Sequence, residues 1–128
     1  MNGSAPDREK IIRRLATGIV TNSANTDVAT FINLPAKCRL RKVTVFDASA
    51  NLAASIATLA AYDAAAAGGL NLVAAAVITA LTAATKCLDM AVVVTDYSTT
   101  GTVVIRNVVA ALAPATVSVA IEIEDLTP

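Results

Sequence analysis

The side chains of this chain that could do chemistry are two cysteines and a small group of carboxylates near the C terminus. There is no histidine, so the chain lacks the imidazole base of serine and cysteine hydrolases and the commonest side-chain metal ligand. Cys38 lies between Lys37 and Arg39, and neighbouring cations can activate a thiol as a nucleophile. The position equally suits an inward-facing residue on a strand, and we favour this structural role. No catalytic residue and no enzymatic activity are therefore expected.

The remaining candidate groups give no firm metal or cofactor motif. Two cysteines are too few for a disulfide scaffold or a zinc site, and a bond between Cys38 and Cys87 requires their strands to face each other across the core. Glu122 and Glu124 share one face of the last predicted strand and could bind a cation or act as acid and base. A solvated strand face explains this pair more simply. Neither a metal nor a cofactor is expected.

Basic residues are concentrated near the start of the chain. Residues 1–42 contain eight Lys and Arg against three acidic residues, a net charge of +5, and residues 43–128 carry a net −5. Opposite charges on two parts of one small domain suit contact with a complementary surface, on another copy or on an acidic lattice. Ordinary solvated charges would give the same count. The candidate contact residues are the basic ones of this region: Arg8, Lys10, Arg13, Arg14, Lys37, Arg39, Arg41 and Lys42.

Nucleic acid is not the expected partner of these residues. The four cations between positions 37 and 42 could meet phosphates, with Arg39 and Arg41 on one strand face. Proteins that bind nucleic acid generally add exposed aromatic side chains or a recognition helix to such a cluster. Here Phe31 and Phe46 are better explained as core residues, and the formal net charge is zero. A protein surface is the favoured partner.

Strands are the elements that would position these residues. From position 117 to 123, Val or Ile at every second residue alternates with polar or small residues, the period-two pattern of a strand with one solvated face. Segments 88–95 and 102–108 are rich in β-branched residues and flank turn-forming residues 97–101, so they are interpreted as a hairpin. Further strands are predicted at 16–21, 28–34 and 39–46.

The alanine-rich residues 48–84 leave two alternatives. Intrinsic propensity favours a helix there, which would make the fold α+β. Segments 54–62 and 70–78 can instead be strands, joined by a connection whose glycines, Gly68 and Gly69, allow a hairpin to close. The domain then has about eight strands, the number found in a jelly roll. We predict this second arrangement, an all-β, jelly-roll-like antiparallel sandwich.

The length of 128 residues fits one domain, which we place at residues 15–128. Residues 1–14 are mostly polar and are predicted to form an extended N-terminal arm, either frayed or ordered by binding a neighbour. Aromatic residues make up only 3% of the chain, so the core is built from small side chains that each bury little area. A copy should therefore gain stability by packing against other copies.

A membrane span is not expected, although no residue between Asp63 and Lys86 is charged. The glycine pair and Asn71 interrupt this stretch, and much of the rest is Ala and Thr. The polar start of the sequence, MNGSAPDREKIIRR, does not resemble a signal peptide, so the chain is expected to be made and kept in the cytoplasm.

One resemblance extends these inferences. The run LPAKCRLRKVTV at 34–45, the segment 56–62, the Ala- and Gly-rich connection up to position 69, Leu81-Thr82 and the valine-rich close resemble small virion proteins of tailed bacteriophages. These are the proteins known as capsid decoration, cement or head-fibre proteins. The resemblance covers roughly residues 15–126 and consists of composition and the order of residue types, without an invariant motif. No functional residue is therefore carried over from it.

The resemblance implies a jelly-roll sandwich, often trimeric, that sits at symmetry axes of an icosahedral shell and braces adjacent capsomers. The partners would be the major capsid protein and other copies of the chain, and the location would be the capsid surface of the virion. In this hypothesis the arm at 1–14 and the basic cluster at 37–42 contact the shell, while residues 95–101 face solvent. The high alanine content at 48–84 departs from the usual pattern of these proteins.

Two alternatives remain open at this point. A tail, neck or fibre-base component of the same kind of particle would share the composition and differ in symmetry and copy number. A carbohydrate-binding β-sandwich would need exposed aromatic side chains or bound calcium, and Tyr62 and Tyr97 are the only tyrosines. The two structural roles require no small-molecule substrate.

Overall fold

The structure is a computed structural model that describes residues 10–21, 23–52, 57–82, 84–93, 97–109 and 115–127. Within these residues the chain forms eight strands. The connection between the fourth and fifth strands contains a short 3₁₀ turn at Ala65–Ala67. The strands are β1 (Ile11–Val20), β2 (Thr26–Phe31), β3 (Cys38–Phe46), β4 (Thr58–Tyr62), β5 (Asn71–Val77), β6 (Cys87–Met90), β7 (Val103–Val109) and β8 (Thr116–Asp125).

The strands form two four-stranded antiparallel sheets. Sheet A has the order β1-β8-β3-β6, and sheet B has the order β2-β7-β4-β5. The pairs β1·β8, β2·β7, β3·β6 and β4·β5 are those of one long hairpin, and rolling that hairpin up adds the pairs β3·β8 and β4·β7. This arrangement is a jelly roll. The predicted fold class, an all-β jelly-roll-like sandwich of about eight strands, is confirmed.

The core lies between the two sheets and follows the predicted alternation. In β8 the inward side chains are Val117, Val119, Ile121 and Ile123, and each is fully buried. They pack with the inward residues of the other strands because successive side chains of a strand point to opposite faces. The core residues contributed by β3, β4, β5 and β7 include Leu40, Val43, Val45, Leu59, Ala61, Val73, Val103 and Ile105.

The alanine-rich middle forms strands, so the helical alternative is wrong for the described part of residues 48–84. There β4 lies inside sheet B between β7 and β5, and four of its five residues are buried. Both faces of this strand are covered, which suits small residues such as Ala60 and Ala61. Burial between neighbouring strands thus overrides the helical propensity of alanine. The predicted segment 54–62 begins at residues that lie partly outside the described chain.

The hairpin predicted from residues 88–95 and 102–108 is wrong, although both strands exist. β6 pairs with β3 in sheet A, whereas β7 pairs with β2 and β4 in sheet B. The connection between them crosses from one sheet to the other. Gly101, near its end, has a φ of +67°, and a Cβ there would lie 2.9 Å from the carbonyl oxygen of Leu34. This position therefore requires glycine.

The domain begins earlier than predicted. Residues 11–14, which the sequence analysis assigned to the arm, belong to β1, where Ile11 is opposite Glu124 and Arg14 is opposite Ile121. Residues 1–9 lie outside the described residues, so an arm over those positions stays a prediction. Among the helical segments of the described chain, none is long and apolar enough to cross a membrane.

The connection between β4 and β5 folds against the outer face of sheet B. The backbone N–H of Ala66 donates to Asp27 Oδ2 at 2.9 Å, and Arg106 Nη1 donates to Asp27 Oδ1 at 2.8 Å. The Ala66 hydrogen bond and the Arg106 guanidinium hold the pKa of the Asp27 carboxyl below its usual range, against the opposing effect of burial. These contacts fix the loop to β2 and β7.

Candidate interaction surface

Cys38, for which the sequence favours a structural role over a catalytic one, lies in the core. The Cys38 side chain is fully buried. Burial raises the pKa of its thiol, and the nearby carboxylates of Asp125 and Asp63 raise it further, against a weaker hydrogen bond with Ser98. The basic neighbours in sequence do not lower it. A protonated, inaccessible thiol is a poor nucleophile, which agrees with the structural role.

The two cysteines are both free and lie far apart. Cys87 is opposite Phe46, at the other end of β3 from Cys38, about 26 Å away at ~3.3 Å per residue. A bond between them within one chain is excluded, because bridged Cα atoms lie no more than about 7 Å apart. Among the described residues, no group of three or more Cys, Asp and Glu side chains is arranged to hold a metal ion.

The outer face of sheet A gathers seven of the sixteen charged side chains of the described residues into one surface, which we call the charged face. It contains basic residues of β1 and β3 beside acidic residues of β8 and β6. Leu15, the most exposed large apolar side chain of the described chain, borders it on β1, opposite Ala120. The charged face consists of Arg13, Arg39, Arg41, Lys42, Glu122, Glu124 and Asp89.

Glu124 is the centre of the most buried part of the charged face. Its Oε1 lies 2.6 Å from Arg39 Nη2 and 3.5 Å from Arg41 Nη1. Both guanidinium groups therefore share one carboxylate oxygen. The predicted placement of Arg39 and Arg41 on one strand face is confirmed by these contacts.

A bulge in β3 adds a further basic residue to the same surface. Leu40 is opposite Ile123 and Lys42 is opposite Glu122, so Arg41 is the extra residue of the bulged strand. In a regular strand Arg41 would be opposite Glu122, and Lys42 would be opposite Ile121 with its side chain on the core side of the sheet. With the bulge, Lys42 Nζ lies 3.7 Å from Asp89 Oδ2 on the neighbouring strand.

The outer pairs of the charged face are more exposed. Arg13 Nε lies 3.2 Å from Glu122 Oε2 across β1 and β8. Asp89 also accepts a hydrogen bond of 2.6 Å from Thr44 Oγ1. Exposed ion pairs of this type contribute little to stability, because water screens them and side-chain entropy opposes them. Their side chains can exchange one partner for another at low cost.

The opposite charges of the two halves of the sequence do not form opposite regions in space. β1 and β3 come from the basic part and β8 and β6 from the acidic part, and sheet A interleaves them. The charged face therefore has four cations against three carboxylates, so it is mixed, with a small positive excess. The sequence suggested a contact through one positive and one negative region of the domain. Sheet A does not separate the two charges in this way.

The other predicted contact residues lie elsewhere. Arg14 is exposed on the opposite side of β1 from Arg13 and donates to the Arg13 carbonyl at 3.3 Å. The Lys37 amine lies 5.7 Å from the centre of the Tyr97 ring, at one end of the sandwich. Lys10 precedes β1, and its carbonyl accepts the Asp125 N–H at 2.8 Å. Arg8 lies outside the described residues.

Sequence reasoning missed the acidic members of the charged face. Glu122 and Glu124 were considered only as a pair that could bind a cation or act as acid and base, and Asp89 was not singled out. A partial signal was present, because Glu122 and Glu124 have the same spacing as Arg39 and Arg41, although both arginines contact Glu124 and Glu122 contacts Arg13. Such matched spacing predicts cross-strand ion pairs if the two strands are neighbours.

The two tyrosines lie in different surroundings. Tyr97 is near one end of the sandwich with the Lys37 amine over its ring. Tyr62 is half-buried on β4 and lies opposite Val104 and Asn71 within sheet B. The half-buried Tyr62 offers less ring surface to a sugar than a fully exposed aromatic side chain would.

Comparison with known proteins gives one structural likeness. No protein family model and no curated protein matches the sequence. The fold is similar to a chain of the solved structure described as "Cyanophage Pam1 capsid asymmetric unit", with a TM-score of 0.57 and 20% sequence identity. The match covers 91% of this chain and 85% of that chain, so the two chains are similar in length. At this identity the likeness shows a shared fold.

Proposed function

We propose that this chain is a structural protein of a bacteriophage virion, and more specifically a decoration protein that binds the outer surface of the capsid shell. The observation that carries the proposal is the likeness in fold to a chain of a cyanophage capsid asymmetric unit. It covers most of both chains, so it concerns the whole jelly roll and not a few shared strands. The order of residue types in segments 34–45 and 56–62, which resembles that of small phage virion proteins, supports the same assignment from the sequence.

The charged face is the proposed contact surface for the major capsid protein. Arg39 and Arg41 are held in place by Glu124, so little side-chain entropy is lost when they meet a partner. The more exposed Arg13 and Lys42 can exchange their present carboxylates for those of the shell. The small positive excess of this face suits an acidic surface.

The proposed mechanism is passive and includes no reaction step. A shell presents many identical sites, so a weak contact at each copy adds up to tight retention when copies also contact one another. Each bound copy stabilises the closed shell by mass action, because it binds the assembled shell and not the separated capsomers. The trimeric state implied by the resemblance stays a prediction, and so does the contribution of an arm at residues 1–9.

The test is binding of the purified chain to shells that lack it, followed by sedimentation and quantification of the bound chain. Wild-type protein is expected to saturate the shells. Arg39→Glu and Arg13→Glu should bind at least about tenfold more weakly, because each puts a carboxylate in place of a cation on the contact surface. Arg14→Glu is the matched control, since Arg14 is also exposed on β1 but lies off the charged face.

Several outcomes would contradict the proposal. Failure of the wild-type chain to bind shells would refute the decoration role, and finding it instead at low copy in tails or necks would support the tail alternative. Equal loss of binding in the Arg39, Arg13 and Arg14 variants would refute the charged face as the contact surface. An arm contribution is tested by deleting residues 1–9, because a deletion to residue 14 would remove part of β1.

A further inference from the structure

The four edge strands of the sandwich differ in how they are protected from pairing with other chains. The edges of sheet A are β1 and β6, and those of sheet B are β2 and β5. Charged side chains on an edge strand discourage such pairing. β1, β2 and β6 each contain at least one charged residue, whereas β5, with the sequence NLVAAAV, contains neither a charge nor a proline. This strand therefore lacks the usual protection.

Among the described residues, another segment covers the outer edge of β5 only along its first half. In the first half, Val93 N–H donates to the Leu72 carbonyl at 2.9 Å, and Val73 forms a bridge with Val92. The strand is irregular against β4 between Val73 and Ala76, which marks the end of this covered part. Residues 74–77 are all exposed, and Val77 is 57% exposed.

The backbone of Val77 points toward this free edge. The N–H of the next residue, Ile78, donates to the Ala57 carbonyl at 2.9 Å, within the antiparallel pairing of β5 with β4. Successive residues of a strand direct their N–H and C=O groups to opposite sides. The N–H and C=O of Val77 are therefore directed away from β4, where another strand can pair with them.

We propose that a second copy of this chain pairs with this edge, antiparallel and around a two-fold axis at Val77. In such a contact the two Val77 residues face each other and exchange N–H···O=C hydrogen bonds, and Ala76 and Ala75 of one copy face Ile78 and Thr79 of the other. Like charges directly opposite would repel each other, whereas the Ala and Val residues of β5 carry none. The formal net charge of zero also adds no repulsion between whole copies.

The proposed contact is short and built from small side chains, so it should be weak. Stable interfaces bury about 1,600 Å² in total, and four residues of an edge strand with their surroundings supply much less. Association is therefore expected at high protein concentration, and on any support that holds copies close together. The inference concerns the chain alone and does not depend on the proposed capsid role.

The test is sedimentation velocity of the purified chain over a wide concentration range, with two charge variants of one residue. Wild-type protein is expected to show a monomer–dimer equilibrium. Val77→Lys and Val77→Asp should each raise the dissociation constant by about tenfold or more, because like charges would face each other at the axis. An equimolar mixture of the two variants should restore association, since Lys then faces Asp.

The matched control is Ile32→Lys, because Ile32 is 58% exposed and lies outside β5. It should leave the dissociation constant unchanged. Val77 is more than half exposed, so the variants should keep the wild-type circular-dichroism spectrum and melting temperature. A wild-type chain that stays monomeric at millimolar concentration would overturn the proposal. So would a trimer or dimer that neither Val77 variant weakens, or a mixture that does not restore association.

Discussion

Glu124 offers a direct test of how the charged face is built, because one carboxylate oxygen serves two guanidinium groups. Glu124→Gln keeps the size of the side chain and removes its charge. The side chain of Glu124 is only 14% exposed, so its contacts with Arg39 and Arg41 are partly shielded from water. Charge-assisted hydrogen bonds in such surroundings contribute about 1.5–3 kcal/mol, and fully exposed ion pairs about 0–1 kcal/mol.

The expected cost of Glu124→Gln lies between these limits, at about 1.5 kcal/mol, since both arginines are about a third exposed and can regain water. At about 2.1 cal/mol/K of unfolding entropy per residue, this corresponds to a fall in melting temperature of about 5 °C. Urea unfolding followed by circular dichroism measures the free energy, and a thermal scan measures the melting temperature.

Glu122→Gln is the matched control, on the same strand and the same face. Its partner, Arg13, has a side chain that is 77% exposed, so this substitution should cost no more than about 0.5 kcal/mol. In 1 M salt the cost of Glu122→Gln should vanish, whereas most of the cost of Glu124→Gln should remain. Equal costs for the two variants, or equal sensitivity to salt, would refute the view that Glu124 anchors the charged face.

Three further predictions follow from single sites. Gly101→Ala should destabilise the fold by about 1–3 kcal/mol in urea unfolding, because its positive φ and the approach of a carbonyl leave no room for a Cβ; a change below about 0.3 kcal/mol would contradict this. A thiol reagent should modify Cys87 at once and Cys38 only during unfolding, as counted by mass spectrometry; early double labelling would show that Cys38 is accessible. The lowered pKa of Asp27 means that its carboxylate stabilises the fold above pH ~4, its usual unfolded value, and that this is lost as the pH falls through the folded pKa. Asp27→Asn should therefore be less stable than wild type at pH 7, and the difference should shrink as the pH falls below ~4; a difference that is independent of pH would refute the assignment.

Local sequence pattern was sufficient for most strands of this fold. In β8 the alternation of Val and Ile with polar residues marks both the strand and its buried face, because burial on one side of a sheet has a period of two. The same reasoning located the Ala-rich strands β4 and β5 once turn-forming glycines were placed between them. Propensity alone would have given helices there, since alanine favours a helix whenever no neighbouring strand covers it.

The pairing of strands could not be obtained in the same way. β6 and β7 are neighbours in sequence with turn residues between them, and yet they belong to different sheets. The choice depends on the whole roll, in which β3 is already the partner of β6 and β4 of β7. Contacts between residues far apart in sequence decide this, and no local pattern contains them.

Only the basic residues of the charged face were predicted from the sequence. The reason is again that strand pairing decides which residues meet. The basic residues of β3 are predicted as a contact group, but the partner of Arg39 and Arg41 is Glu124 of β8, 85 positions after Arg39, and the partner of Lys42 is Asp89 of β6. Only the register between these strands brings Arg39 opposite Glu124. The bulge at Arg41, which turns Lys42 onto the same face, has no marker in the sequence that period-two analysis detects.

The most direct measurement of the proposed role is the copy number of this chain in purified particles of a phage whose genome contains its coding sequence, by quantitative mass spectrometry against the major capsid protein. A decoration protein should be present in a fixed ratio to the capsid protein, in at least one copy per several capsid subunits. Its removal from the particles should lower the stability of the shell. Absence of the chain from the particles, or a few copies confined to the tail, would contradict the account.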